Sequence, residues 1–336
     1  MTTLARNRVD LHCHSRRSDG ALEPLALWAE MRGWGLAVAS LTDHDTLQGY
    51  RELRAAGLGD GTQGPRLVPG LEINSVGGLD QGRPVEGLGR AAGELHILGY
   101  GIDPDDAALD AALARQRDGR RVRIDLTLDA LRELGMPVDH EFASLALDAE
   151  ASRGRPHVAE ALVLAGHATD VSDAFARWLA WGRPAFVPRQ GMGPRDAIDA
   201  IGAAGGIAVL AHASEAPDHP EDVRTLREWG LGGLEVHYRR FDWVTVERLR
   251  HLAERLELLP TGGSDFHGQD HDYRTVQRMT MVPEPVGEGM LAALRTRRAR
   301  QGRHDHAQPA PSSTWRPRRH GHGRRSRPPT RGSRSS

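Results

Sequence analysis

Two histidines stand two residues apart, His12 and His14, in the stretch RVDLHCHSRRSDG (8–20), and Asp19 follows them. On a strand, residues i and i+2 share a face, so both imidazoles can reach one metal ion. A lone His-x-His is weak: with 17 histidines in the chain, about one such pair arises by chance. Two others, HDH (304–306) and HGH (320–322), stand near the C-terminus and read as compositional. The first pair differs in its company. His44 closes the apolar run LAVASLTDHD, Glu72 lies in PGLEI, His96 in ELHIL and His212 in VLAHA. Asp265 and His267, again at i and i+2, lie in GSDFH. Burying so many imidazoles and carboxylates without counter-charge is costly, and metal ions remove that cost. The expectation is a multinuclear metal site.

These residues need strands to carry them. The segments at 8–14, 36–43, 66–76 and 94–102 read as strands, with helices at PLALWAEMRGWG and TLQGYRELRAAG between them. Strand alternating with helix predicts parallel βαβ units, whose C-terminal strand ends gather chemistry. From 105 to 195 the pattern turns helical, as an insertion would. It returns to strands at IAVLAHAS, GGLEVHY and LPTGGSDFHG. The expected division is a barrel over 1–104 and 196–295, an insertion over 105–195, and a disordered arginine-rich tail over 296–336. Cys13, between the two histidines, faces the opposite side of its strand and reads as core. Asp43 and Asp45 flank His44, placed to orient ligands or to cap the next helix.

Composition limits the partners. The chain has 336 residues, 39% of them hydrophobic, and its basic residues are all arginine. No apolar run is long enough for a membrane span, and the first residues show no signal segment, so the expected compartment is the cytoplasm. From Arg295 onward there are 13 arginines against one acid, whereas the preceding body has 31 arginines against 44 acids. An acidic body is a poor match for duplex DNA or for a membrane surface, although metals can still hold phosphates. A nucleic-acid-binding arm is the alternative reading of the tail. With one cysteine, no internal disulfide forms.

The order HxH, SDG, TDHD, GxE, LHILGY, AH and GSDFH resembles the PHP (polymerase and histidinol phosphatase) family of metallophosphoesterases. With RPH inside a helical insertion, it is closest to the branch of nucleoside 3′,5′-bisphosphate phosphatases and 5′-to-3′ exoribonucleases. The resemblance spans about residues 8–270. It implies a distorted (β/α)7 barrel with three divalent metals, Mn²⁺ by analogy, with Fe²⁺ or Zn²⁺ also suited to mixed nitrogen and oxygen ligands. One metal would be held by His12, His14, Glu72 and Asp265, a second by Glu72, His96 and His212, and a third by Asp19, His44 and His267. One departure is visible: HAS follows the strand-end histidine where the branch has Pro and Gly.

The implied reaction is hydrolysis of the 3′-phosphate of a nucleoside 3′,5′-bisphosphate, such as adenosine 3′,5′-bisphosphate, by a metal-bridging hydroxide. Glu72 would bridge metals, and His212 or His267, where free of metal, would protonate the leaving group. Exoribonuclease action on short RNA and histidinol-phosphate hydrolysis are the alternatives. A second phosphate needs cations outside the metals. Arg117, Arg120 and Arg121, and Arg153, Arg155 and His157 of RGRPH, are the candidates for substrate binding, because arginine donates to phosphate bidentately and RPH precedes a helix.

Overall fold

In the computed structural model, β4 (Gly70–Val76) is buried from Gly70 to Ser75, so both of its faces are covered. The structure describes residues 8–76, 94–147, 151–268 and 271–305. The other strands are β1 (Val9–Asp10), β2 (Val38–Ala39), β3 (Arg66–Leu67), β5 (Glu94–Tyr100), β6 (Ile207–Leu210), β7 (Gly233–Tyr238) and β8 (Leu259–Gly263). Strands β1, β2 and β3 pair in parallel, and a second sheet runs β4-β5-β6-β7-β8. Parallel bridges His44–Glu72 and Cys13–Phe266 join the two sheets, and the Leu11 N–H donates to Gly262 O at 3.1 Å. Pairing thus passes from the end of β2 to β4, and from β8 back to β1.

The expected run of parallel units fails at β5, which is antiparallel to both β4 and β6. A strand buried on both faces has the same apolar pattern in either direction, so periodicity carries no sense of direction. The pairs β6–β7 and β7–β8 are parallel, and each needs a crossover. Helices Pro220–Glu228 and Trp243–Arg255 supply them.

Helix Pro24–Trp34 starts on a proline and stops at Gly35, whose φ of 89° only glycine adopts readily. Its Leu27, Met31 and Trp34 form an i, i+4, i+7 stripe packed with Cys13, Ala39 and Phe266. The Cys13 side chain is buried there, and its thiol donates to Ser40 O.

Helix Ala107–Glu133 is shared between two cores. Asp106 caps it by accepting from the Leu109 N–H at 2.7 Å. Leu109 and Leu113 pack with Ile97, Ile198 and Leu210 of the sheet region. Ile124, Leu128 and Leu131 instead pack with Val158 and Leu162 of helix Arg155–Leu164. Between the two patches the same face presents the buried polar residues Gln116, Arg120 and Arg123. One continuous stripe therefore runs from one apolar core, past the site, into the other.

The last helix, Glu284–Asp305, extends past residue 296, where structure was expected to end. Val286, Met290 and Leu294 bury its inner face, and the Arg297 guanidinium donates to Gly205 O at 2.9 Å and Gly202 O at 3.2 Å. The rest of the arginine-rich tail lies outside the described residues. Among the described residues no helix is long and apolar enough to cross a membrane.

Gly263 ends β8 against the His12 backbone, where a Cβ would collide with His12 N and Cβ. Gly263→Ala should therefore destabilise the fold by about 1–3 kcal/mol, the usual cost of overpacking. Denaturant unfolding measures this, and an unchanged midpoint would show that the strands can part.

Candidate metal centre

Glu72 stands on β4 with its side chain fully buried. Its Oε2 lies 3.2 Å from His12 Nε2, 3.1 Å from His14 Nε2 and 3.3 Å from His44 Nδ1. Its Oε1 lies 2.8 Å from His96 Nδ1 and 3.2 Å from His212 Nε2. Asp265 Oδ1 stands 3.4 Å from His12 Nε2, 3.3 Å from His14 Nε2 and 3.5 Å from His267 Nδ1. Asp19 closes the far side, 3.3 Å from His267 Nε2 and 3.7 Å from His44 Nε2. All nine residues singled out from the sequence as metal ligands meet here, although they come from segments more than 200 positions apart.

Burial alone would raise the Glu72 carboxyl, but the imidazoles of His12, His44 and His96 hold it well below the usual carboxylate range. Burial would likewise suppress the charge on His14, yet Asp265 and Glu72 raise it to about 10. His44 goes the other way, with burial taking it down to about 3. The neighbouring residues thus favour one charged and one neutral imidazole on the same carboxylate.

The residues present suit metal ions. His14 Nε2, His44 Nδ1 and Asp19 Oδ1 are buried and make no well-aligned hydrogen bond, although each stands 3.1 to 3.3 Å from a carboxylate or imidazole atom, an arrangement that a cation between them would satisfy. His96 Nδ1 and His212 Nε2 lie 3.2 Å apart, so at most one proton fits between them. Three groups have ligand atoms within 4.8 Å of one another: His12, His14, Glu72 and Asp265; His44, Glu72 and His96; and His14, Asp19, His44 and His267. The first is the set expected for one metal. In the other two, His44 and His14 each stand close to two clusters. His212 reaches the centre through Glu72 and His96.

Backbone and outer contacts fix these side chains. The two oxygens of Glu235, buried on β7, face His12 Nδ1 at 3.0 Å and accept the His212 N–H at 2.8 Å. A proton on His12 Nδ1 leaves Nε2 free to ligate. Only a carboxylate accepts from both donors, since glutamine would turn its amide N–H toward one of them. Glu235 was missed in the sequence, although an acid inside the apolar run GGLEVHY was a signal. Asp43 accepts from Ser15 N, Ser15 Oγ and Ser18 Oγ, so it shapes the turn after His14. Neither Asp43 nor Asp45 caps helix Gln48–Ala55, which lacks a side-chain cap.

A cavity of about 310 Å³ opens on the centre, lined by His44, His96, His212, Asp265 and His267. Its lining is also cationic, with Arg120, Arg123, Arg153, Arg155 and Arg189. Asp45 accepts from Arg120 Nε at 2.5 Å and Arg189 Nη2 at 2.8 Å, while Glu94 accepts from Arg123 Nη1 at 2.8 Å and Arg155 Nη2 at 3.4 Å. Although burial opposes its charge, the Arg155 and Arg123 guanidiniums bring Glu94 down to about 2.

The candidate phosphate-binding residues divide. Arg155 lines this cavity, as do Arg120 and Arg153. Arg121 points away and pairs with Asp118 at 2.7 Å, because one residue further along the helix turns it off the face shared by Arg120 and Arg123. Arg117 is not in the cavity wall and donates to the Asp45 carbonyl at 3.0 Å. His157 is buried as a cap: its Nδ1 accepts the Gly154 N–H at 3.0 Å, which takes it out of the wall. Arg123, Arg189 and Glu94 had not been singled out. Arg189 lies in an aperiodic segment, VPRQG, that gives no cue.

Two outcomes follow from these contacts. Glu235→Gln should weaken Mn²⁺ binding by about 10–100-fold, the usual effect of losing an outer partner of a ligating histidine. Titration calorimetry reads this, and unchanged affinity would remove Glu235 from the metal site. Carboxylates hold His12 and His14 above the ordinary imidazole range, so both carry protons near neutral pH when no metal is bound. Metal must displace those protons, so binding should release protons and tighten as pH rises. Calorimetry in buffers of different ionisation enthalpy counts them, and zero release would contradict the assignment.

No protein-family model matches the chain. A 5′-3′ exoribonuclease of Haemophilus influenzae is 33% identical over 264 residues, covering 77% of this chain and 90% of the relative. A 3′,5′-nucleoside bisphosphate phosphatase of Chromobacterium violaceum is 31% identical over 283 residues, covering 82% and 92%. Among solved structures, a metal-dependent phosphoesterase of Bifidobacterium adolescentis superposes with a TM-score of 0.65 at 29% identity, covering 81% of this chain and 94% of that one. With its clustered histidines and carboxylates on this fold, the chain belongs to the PHP-like metal-dependent phosphoesterases, a family of hydrolases.

Proposed function

We propose that the chain removes the 3′-phosphate from nucleoside 3′,5′-bisphosphates, giving a nucleoside 5′-phosphate and inorganic phosphate. The observation that carries this reading is the charge imbalance of the cavity wall. Five buried or half-buried arginines, Arg120, Arg123, Arg153, Arg155 and Arg189, line the cavity, and only two carboxylates, Asp45 and Glu94, pair with four of them. Arg120 Nη2, Arg123 Nη2 and Arg189 Nε are buried with no hydrogen-bond partner. Uncompensated buried guanidiniums are costly, and a second phosphate supplies the missing charge and acceptors. The relatives' names, a bisphosphate phosphatase and a 5′-3′ exoribonuclease, both describe nucleotide phosphoesters and support the same substrate class.

In this reading three divalent ions, with Mn²⁺ as the favoured metal, are held by His12, His14, Asp19, His44, Glu72, His96, His212, Asp265 and His267. When bound they supply Lewis acidity, neutralising phosphoryl oxygens and lowering the pKa of water. The chain's own residues orient the ester. The arginine wall holds the 5′-phosphate, which fixes the 3′-phosphate at the metal centre. His212 and His267 both border the cavity, and whichever of them is free of metal can hand a proton to the departing 3′-oxygen.

A phosphate-release panel with Mn²⁺ tests the proposal on adenosine 3′,5′-bisphosphate, a 5′-phosphorylated trinucleotide and histidinol phosphate. Release from the bisphosphate is expected, and its loss in Glu72→Gln. Activity confined to histidinol phosphate would overturn the reading. Arg155→Ala should raise KM for the bisphosphate more than for an aryl monophosphate, by about 1.5–3 kcal/mol, the size of a charge-assisted hydrogen bond. Equal losses on both would make Arg155 a support of the fold.

A further inference from the structure

A second cavity, of about 370 Å³, adjoins the first and shares Phe175, Tyr238, Asp265 and His267 with it. Its remaining wall carries Arg239, Arg240 and His271, none of which borders the first cavity. The first cavity's arginines are likewise absent from the second. Cations therefore stand on both sides of the junction formed by Asp265 and His267. Arg239 and Arg240 follow directly on β7, whose Tyr238 hydroxyl donates to Asp265 Oδ2 at 3.0 Å. That bond ties the pair of arginines to the metal centre. Arg239 forms no ion pair among the described residues, and its Nε is buried without a hydrogen bond, so the guanidinium is left short of an anion.

A nucleoside 3′,5′-bisphosphate makes use of only one basic cavity. Its 5′-phosphate sits on the arginine wall, and the phosphorus under attack carries nothing beyond its own oxygens. In an oligonucleotide the same phosphorus also bears the O5′ of a following nucleotide. Water adds to phosphorus, the bond to O3′ breaks, and O3′ takes up the proton that water gives up. The two substrates differ only in whether a strand remains attached to the phosphorus.

We propose that the second cavity binds this retained strand, with Arg239 and Arg240 holding the phosphate beyond the scissile one. Arg239 is then the specificity-determining residue between strand and mononucleotide, the two kinds of substrate that the relatives' names describe. The inference rests on the proposed function, in which the metal centre breaks the bond to O3′. The strand released from each cycle keeps a 5′-phosphate, so it is itself a substrate for the next.

The test compares kcat/KM on a 5′-phosphorylated triadenylate and on adenosine 3′,5′-bisphosphate, using Mn²⁺-loaded full chain. In Arg239→Ala the ratio of the two, strand over mononucleotide, should fall by about tenfold or more, as loss of a charge-assisted hydrogen bond requires. Arg240→Ala, at an exposed position, should lower the same ratio by less. A ratio unchanged in both variants, or equal losses on both substrates, overturns the subsite. Should the wild type hydrolyse neither substrate, the proposed function fails, and binding of a 3′-labelled triadenylate decides the subsite separately. Weaker binding by Arg239→Ala then upholds it, and unchanged binding removes it.

Discussion

The Glu72 carboxylate faces five imidazoles, with its two oxygens 2.8 to 3.3 Å from nitrogens of His12, His14, His44, His96 and His212. These come from β5 and from the segments that follow β1, β2 and β6, so the carboxylate can be satisfied only when all of those segments are in register. A shift of one residue in β4 would turn Glu72 to the other face and leave the imidazoles with no common partner. The hydrophobic clusters on either side supply the driving force for folding, but they are compatible with more than one register. The buried charge is what excludes the wrong ones, because an unpaired carboxylate in this interior is far costlier than a misplaced methyl group.

Three non-glycine residues at the site have left-handed backbones: Asp45 at φ 53°, His212 at φ 30° and Asp265 at φ 46°. Each costs about 1 kcal/mol or more relative to an ordinary conformation. In each case the amide N–H is held by another residue of the site. Asp45 donates to Glu72 O at 2.9 Å, Asp265 to His12 O at 2.6 Å, and His212 to a Glu235 oxygen at 2.8 Å. The sharp turns aim side chains into the centre that an extended strand end would send elsewhere. At His212 the left-handed turn lies in HAS, a segment without proline, and Glu235 holds it.

The metal-binding candidates were legible because the chemistry constrains residue type as well as position. A histidine or acid at the end of an apolar run is conspicuous, and nine of them in one order leave few alternatives. The strand direction of β5 was not legible, because full burial erases the alternation that distinguishes faces. Substrate-side residues were harder still. Arg120 and Arg121 are adjacent and chemically identical, and only the helical turn separates the one that binds Asp45 from the one that binds Asp118. His157 looked like an anion ligand beside a helix start, where its actual partner is the amide of Gly154, the residue that caps that helix. Glu235 and Arg189 act on residues far away in sequence, and pairings of that kind emerge only when the chain is folded.

Asp45 joins two parts of the chain whose apolar cores are bridged by helix Ala107–Glu133. Its carboxylate and carbonyl accept from Gln116, Arg117, Arg120 and Arg189, all contributed by the helical segment. On its other side it adjoins His44 and bonds to β4. The arginines of the cavity wall and the candidate metal ligands thus meet at Asp45, and again at Glu94 of β5, which pairs with Arg123 and Arg155. Such joints make the protein modular in the evolutionary sense. The helices can drift, lengthen or exchange their arginines while the histidine and carboxylate centre stays as it is, provided Asp45 and Glu94 keep the two in alignment.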